Sequence, residues 1–98
     1  MHRFDGRVAI VTGAAQGIGR AIADRLGKEG ARVVAVDLNG EGAASAAKAI
    51  GGTSFGVQCD IGDPQSVAKL YAEVEKTSGK LDILINAAGI VPFVPGIS

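Results

Sequence analysis

Four short β-rich runs alternate with three helically patterned stretches along this chain, and that alternation limits the fold it can reach. Val8 to Val11 is continuously apolar rather than alternating, the pattern of a strand buried on both faces. From Gly17 the period changes, with Ile18, Ala21, Ile22, Arg25 and Leu26 at helical spacing and Gly30 as a natural stop. Arg32 to Val36 reads as a second buried strand ending in Asp37, and Glu41 to Ile50 as an Ala-rich helix before Gly51 and Gly52. Ser54 to Cys59 is a weaker third strand. Asp63 can cap the next helix, Pro64 suits its first position, and Val67, Leu70, Tyr71 and Val74 form one apolar stripe up to Gly79. Leu81 to Ile85 is the fourth strand. This β-α-β-α-β-α-β pattern predicts a parallel sheet with right-handed helical crossovers. Each strand ends near a glycine or an acid, on the edge where open α/β sheets bind ligands.

Size and charge narrow the partners. The 98 residues allow one domain, and 47% hydrophobic with 20% charged residues indicates a globular chain. Ten basic residues balance ten acidic ones without long runs of like charge, which disfavours nucleic acid and anionic membranes. Cys59 is alone, so no intrachain disulfide is available. Met1 to Arg7 lacks the apolar core of a signal peptide, and Ile83 to Val94 is broken by Asn86, Gly89 and Pro92, well short of the roughly 20 residues that span a bilayer. The chain reads as soluble and cytoplasmic. No cluster suggests a metal site.

Between the first strand and the first helix stands Thr12-Gly13-Ala14-Ala15-Gln16-Gly17-Ile18-Gly19. Its G-x-x-x-G-x-G spacing differs from G-x-G-x-x-G, and Arg20 stands where a P-loop needs Lys. A strand turning sharply into a helix offers free N–H groups and the positive end of a helix dipole to a phosphate. Gly13 would permit the turn, Gly17 the approach of a pyrophosphate, and Gly19 close packing of the helix on the strands. Thr12 is expected to hydrogen-bond locally and hold the loop. A ligand-free tight turn is the plainer alternative. Asp37 weighs against it, because an acid 18 positions beyond Gly19 can accept hydrogen bonds from an adenosine ribose. Its charge would repel a 2′-phosphate, and neither Leu38 nor Ala14-Ala15-Gln16 supplies a compensating base. NAD is therefore favoured over NADP.

These residues resemble the T-G-x-x-x-G-I-G cofactor turn of the short-chain dehydrogenase/reductase family. Asn86-Ala87-Ala88-Gly89 is similar to that family's N-N-A-G segment after the fourth strand, with Ala87 in place of the second Asn. The resemblance runs to about Val91 and implies a Rossmann-like three-layer sheet in the order 3-2-1-4. It further implies cofactor contacts from Thr12, Gly13, Gln16, Gly17, Ile18, Gly19, Asp37 and Leu38. Asp60 and Ile61 would flank the adenine, Asn86 would tie neighbouring strands, and Ala88 and Gly89 would line the ribose path, with Asn86 and Ala87 also counted among the cofactor-binding residues. By themselves, Asp60 and Asn86 could equally be solvated strand ends.

Hydride transfer in that family relies on a Ser and on a Tyr followed four residues later by a Lys, which lowers the phenol's pKa. Here the sole tyrosine is Tyr71, with Glu75 four residues on and a place in the apolar stripe. The serines lack a neighbouring base, and His2 sits at a terminus, so no catalytic residue is assigned within residues 1–98. The expected reading is one truncated dinucleotide-binding unit, the N-terminal portion of a longer oxidoreductase. Its apolar, uncharged ending from Ile90 to Ser98 fits an interrupted chain. The fourth strand would then be an open edge, through which the chain is expected to pair with itself or aggregate. The alternatives are a non-catalytic nucleotide-binding or self-association module and a methyltransferase-like sheet, the latter disfavoured by Thr12 and the glycine spacing.

Overall fold

The computed structural model describes residues 4–87. Four strands, β1 (Val8–Thr12), β2 (Arg32–Asp37), β3 (Phe55–Gln58) and β4 (Ile83–Asn86), alternate with helices α1 (Gly17–Lys28), α2 (Gly40–Ile50) and α3 (Pro64–Ser78). The sheet is parallel throughout, as the sequence pattern predicts, and ordered β3-β2-β1-β4, as the resemblance implies. The chain moves outward from β1 to β3 and then returns past β1 to β4. β1 and β4 therefore flank a topological switch point, the kind of place where open sheets bind ligands.

Side chains leaving the sheet alternately build two cores. On one face Ala9, Val11, Val33 and Ala35 meet Ala23 and Leu26 of α1 and Ala46 and Ala47 of α2. On the other, Val8, Ile10, Val34 and Val36 meet Val67, Leu70, Tyr71 and Val74 of α3. Residue size matches the load on each face. Two helices share the first face, and its alanines let them lie close to the sheet and to each other. A single helix covers the second face with larger side chains. The predicted stripe of α3 is its buried face.

Helix ends follow local chemistry. The Asp63 carboxylate accepts from the Gln65 amide at 3.1 Å, Pro64 opens α3, and Gly79 closes it in a left-handed conformation. The Asn39 side chain caps α2 by accepting from the Gly42 amide at 3.1 Å. α1 has no side-chain cap.

Several strand ends fall one or two residues from the sequence expectation. β3 is trimmed to Phe55–Gln58: at its start the Ser54 hydroxyl accepts from the Val33 amide at 3.0 Å, outside the ladder, and past its end the Cys59 amide donates to the Asp37 carbonyl at 3.1 Å. β4 begins at Ile83 rather than Leu81. Asp82 instead makes two bonds to one residue: its amide donates to the Val8 carbonyl at 2.9 Å, and its carboxylate accepts from the Val8 amide at 2.8 Å. Among the described residues, no helix is long and apolar enough to cross a membrane.

Candidate functional site

Parallel strands bring their C-terminal ends to one edge, so four segments distant in sequence meet there. Thr12 is in register with Val36 on one side and Asn86 on the other, which places the turn after β1 between the ends of β2 and β4. Gly13 and Gly17 take left-handed φ values of 66° and 63°, conformations unfavourable to other residues. The Ala14 amide donates to the Val36 carbonyl at 3.0 Å, and the Ala15 amide to the Asp37 carboxylate at 3.0 Å. Both bonds tie the turn to β2.

Thr12 does not act locally, contrary to expectation. Its side chain is 1% exposed, and its hydroxyl faces the Asn86 amide oxygen at 3.1 Å and the Ile85 carbonyl at 3.4 Å. A hydroxyl has one proton to donate, so these acceptors share it. Asn86 thus ties β4 to β1, the role the resemblance implied. Signs of this bond were absent from the local sequence, because the partner is 74 residues away.

Gly19 permits a close approach, but the neighbour is the turn itself and the last carbonyl of β1. A Cβ on Gly19 would run into the Gly13 carbonyl and stand 3.1 Å from the Thr12 oxygen. At Gly17 the space a Cβ would occupy is open. The leading N–H groups of a helix have no partner within it, and α1 has neither a side-chain cap nor an acid in its first turn. These features fit a phosphate: open main-chain donors, a permissive glycine and no competing negative charge. Arg20 pairs along the helix with Asp24, Nε to Oδ1 4.0 Å, as a neighbour one turn away.

Asp37 is half-buried at the end of β2. One carboxylate oxygen holds the Ala15 amide and the other holds the Asn39 amide at 3.0 Å. An ionised carboxylate has about four acceptor sites, so capacity remains for both hydroxyls of a ribose. The depression beside it is lined by Leu38, Asn39, Gly40, Glu41, Ala44 and Gln58, an acid but no base among them. Leu38 is 65% and Ile18 76% exposed, large apolar side chains standing free beside the turn and the acid.

The remaining expected contacts are less uniform. Asp60 is exposed, with one carboxylate oxygen accepting from the Gly62 amide at 2.9 Å, so its other oxygen is available to an amine. Ile61 is only partly exposed and packs against the α3-side core. Gln16 is the exposed N-cap residue of α1, and Ala87 is exposed beyond β4. Ala88 and Gly89 lie outside the described residues. Sequence reasoning missed Asn39, although an Asn three residues before Gly42 at a helix start is a legible capping signal.

Tyr71 is buried, and loss of solvation followed by the nearby Cys59 pushes its phenol above the usual range. It belongs to the core. Among the described residues, no group of three or more His, Cys, Asp or Glu could hold a metal ion.

A parallel α/β sheet whose first crossover begins in a glycine turn locked to the acid ending β2 defines the class of Rossmann-type nucleotide-binding domains. The family model described as short chain dehydrogenase matches residues 7–97, and the chain belongs to that family. It is 47% identical over 96 residues to D-threitol dehydrogenase of Mycolicibacterium smegmatis, covering 95% of this chain and 37% of that protein. Versicolorin reductase 1 of Aspergillus parasiticus is 48% identical over 96 residues, with 94% and 37% covered. In structure it is similar to a hydroxysteroid dehydrogenase from Escherichia coli, with TM-score 0.85 and 41% identity over 93% of this chain and 39% of the other. The chain spans about a third of the length of the curated relatives it matches. The family uses nicotinamide dinucleotides.

Proposed function

We propose that this chain is the NAD-binding, N-terminal portion of a short-chain oxidoreductase. The complete protein would move a hydride between the nicotinamide and a substrate bearing a hydroxyl or carbonyl group. The observation that carries this reading is the Asp37 carboxylate, held 3.0 Å from the Ala15 amide at the mouth of the glycine turn with acceptor capacity left over. From there it would receive hydrogen bonds from both adenosine ribose hydroxyls. The open face of Gly17 and the uncapped start of α1 would take the diphosphate. Leu38 and Ile61 would border the adenine, with the free Asp60 oxygen accepting from its amine. Ile18 would shield the diphosphate from water.

NAD rather than NADP follows from charge. A 2′-phosphate would meet Asp37 and Glu41, and among the described residues no Lys or Arg lines the depression beside them. The bound cofactor supplies hydride chemistry, while these residues bind and orient it. Residues 1–98 form a single unit, and the Ser, Tyr and Lys of the reaction would come from chain beyond them. A buried Tyr71 with Glu75, not Lys, four residues on supports that division. The charge balance and the single, buried Cys59 suit the cytoplasm.

Calorimetric titration with NAD and NADP tests the reading. Expected is heat with NAD, weaker binding of NADP, and loss of NAD binding in Asp37→Ala. No heat with NAD on folded protein overturns it. Among the described residues β4 pairs only with β1, and Leu84 is 42% exposed. This favours a second role for its open edge, association with another copy of the chain.

A further inference from the structure

Gly42 occupies the third position of α2, where glycine is a poor helix residue and where its φ is not left-handed. Its reason is steric. A Cβ there would stand 2.6 Å from the Ala15 Cβ and 2.9 Å from the Asn39 side-chain nitrogen. The first turn of α2 therefore rests directly on the glycine turn after β1. The same three segments are joined by a chain of hydrogen bonds. The Ala15 amide donates to one Asp37 oxygen, the Asn39 amide to the other, and the Gly42 amide to the Asn39 side-chain oxygen. The packing of Gly42 on Ala15 closes that chain into a circuit.

We infer that Gly42 and Asn39 are positioning residues for ribose recognition: by seating α2 against Ala15 they fix the direction in which the Asp37 carboxylate presents its free acceptor sites. This rests on the proposed NAD reading and deepens it. A carboxylate held by one amide at each of its oxygens has little freedom to rotate, and both anchoring amides move with α2 or with the turn it touches. Displacing α2 from Ala15 would leave the turn's donors to the diphosphate in place and misdirect the carboxylate. The loss should therefore fall on the ribose hydroxyls rather than on the whole nucleotide.

The test compares NAD with an NAD analogue lacking both hydroxyls on its adenosine ribose, titrated calorimetrically into wild type, Gly42→Ala, Asn39→Ala and the double variant Ala15→Gly/Gly42→Ala. Gly42→Ala should weaken NAD about tenfold, roughly one charge-assisted hydrogen bond, and change the dideoxy analogue little. Removing the Ala15 methyl in the double variant should restore NAD binding. An equal loss for both ligands, no loss, or no rescue overturns the inference. Should Gly42→Ala fail to fold, Asn39→Ala decides by the same comparison: a loss selective for NAD supports positioning, and an equal or absent loss overturns it. A wild-type chain that binds neither ligand overturns the NAD reading itself, and the inference with it.

Discussion

The Ala15 amide donates to the Asp37 carboxylate across 22 residues of sequence, at 3.0 Å. One side chain thus holds the shape of the turn and stands ready for a sugar. The two roles separate under substitution. Asp37→Asn keeps an oxygen for one amide, whereas Asp37→Ala leaves both amides without it. Asp37→Ala is expected to cost about 1 kcal/mol or more of stability, since each amide exchanges a charge-assisted bond for water. Urea unfolding of the three proteins checks this, with Asp37→Asn expected between the other two.

Gly19→Ala drives a methyl into the Gly13 carbonyl, a main-chain neighbour that cannot swing aside. The expected destabilisation is about 1–3 kcal/mol, typical of overpacking. Gly17→Ala has open space around it and is opposed only by its φ of 63°, so it should cost roughly 1–2 kcal/mol through strain. Yet Gly17→Ala should weaken NAD binding more than Gly19→Ala does per unit of stability lost, because its methyl occupies the face offered to the diphosphate. Paired denaturation and titration experiments distinguish the two.

Thr12→Val removes the hydroxyl joining β1 to β4 while filling the same volume. The expected loss is about 1 kcal/mol, with Thr12→Ser retaining the bond at the expense of a buried methyl. Hydrogen exchange at the β4 amides should accelerate in Thr12→Val more than in Thr12→Ser.

Asp82 makes part of the stability dependent on pH. The Val8 amide, chiefly, with Lys80 and Arg7 beside it, holds its carboxyl below the ordinary carboxylate range. A pKa lowered by folding stabilises the native state above the unfolded value, about 3.9, and that contribution is lost as pH falls through the lower folded value. Asp82→Asn should therefore be less stable than wild type at neutral pH, and the gap should close below about pH 4. Urea midpoints across that range measure it. A gap independent of pH would mean that the charge is irrelevant.

The edge of β4, unpaired among the described residues, should make the chain associate. Light scattering is expected to show species larger than a monomer, reduced by Leu84→Lys, since an edge lysine opposes strand pairing. A monodisperse wild-type monomer at micromolar concentration would contradict this.

The α3 stripe of Val67, Leu70, Tyr71 and Val74, its Asp63 cap and the continuously apolar β1 were legible because helical and strand periodicities are local properties. The same local reading placed Gly13, Gly17 and Asp37 at element ends. It misplaced the start of β4, where Asp82 satisfies Val8 in a manner no periodicity encodes. The destination of the Thr12 hydroxyl was equally hidden. Sequence alone, then, determined which segments are strands and helices, and which ends carry glycine or acid, since both depend on neighbours within a few positions. Only the tertiary structure decided that Ala15, Asp37, Asn39 and Gly42 form one circuit and that Thr12 reaches Asn86. Most of these contacts join segments brought together by sheet order and helix packing, and their spacing exists only once the crossovers have closed.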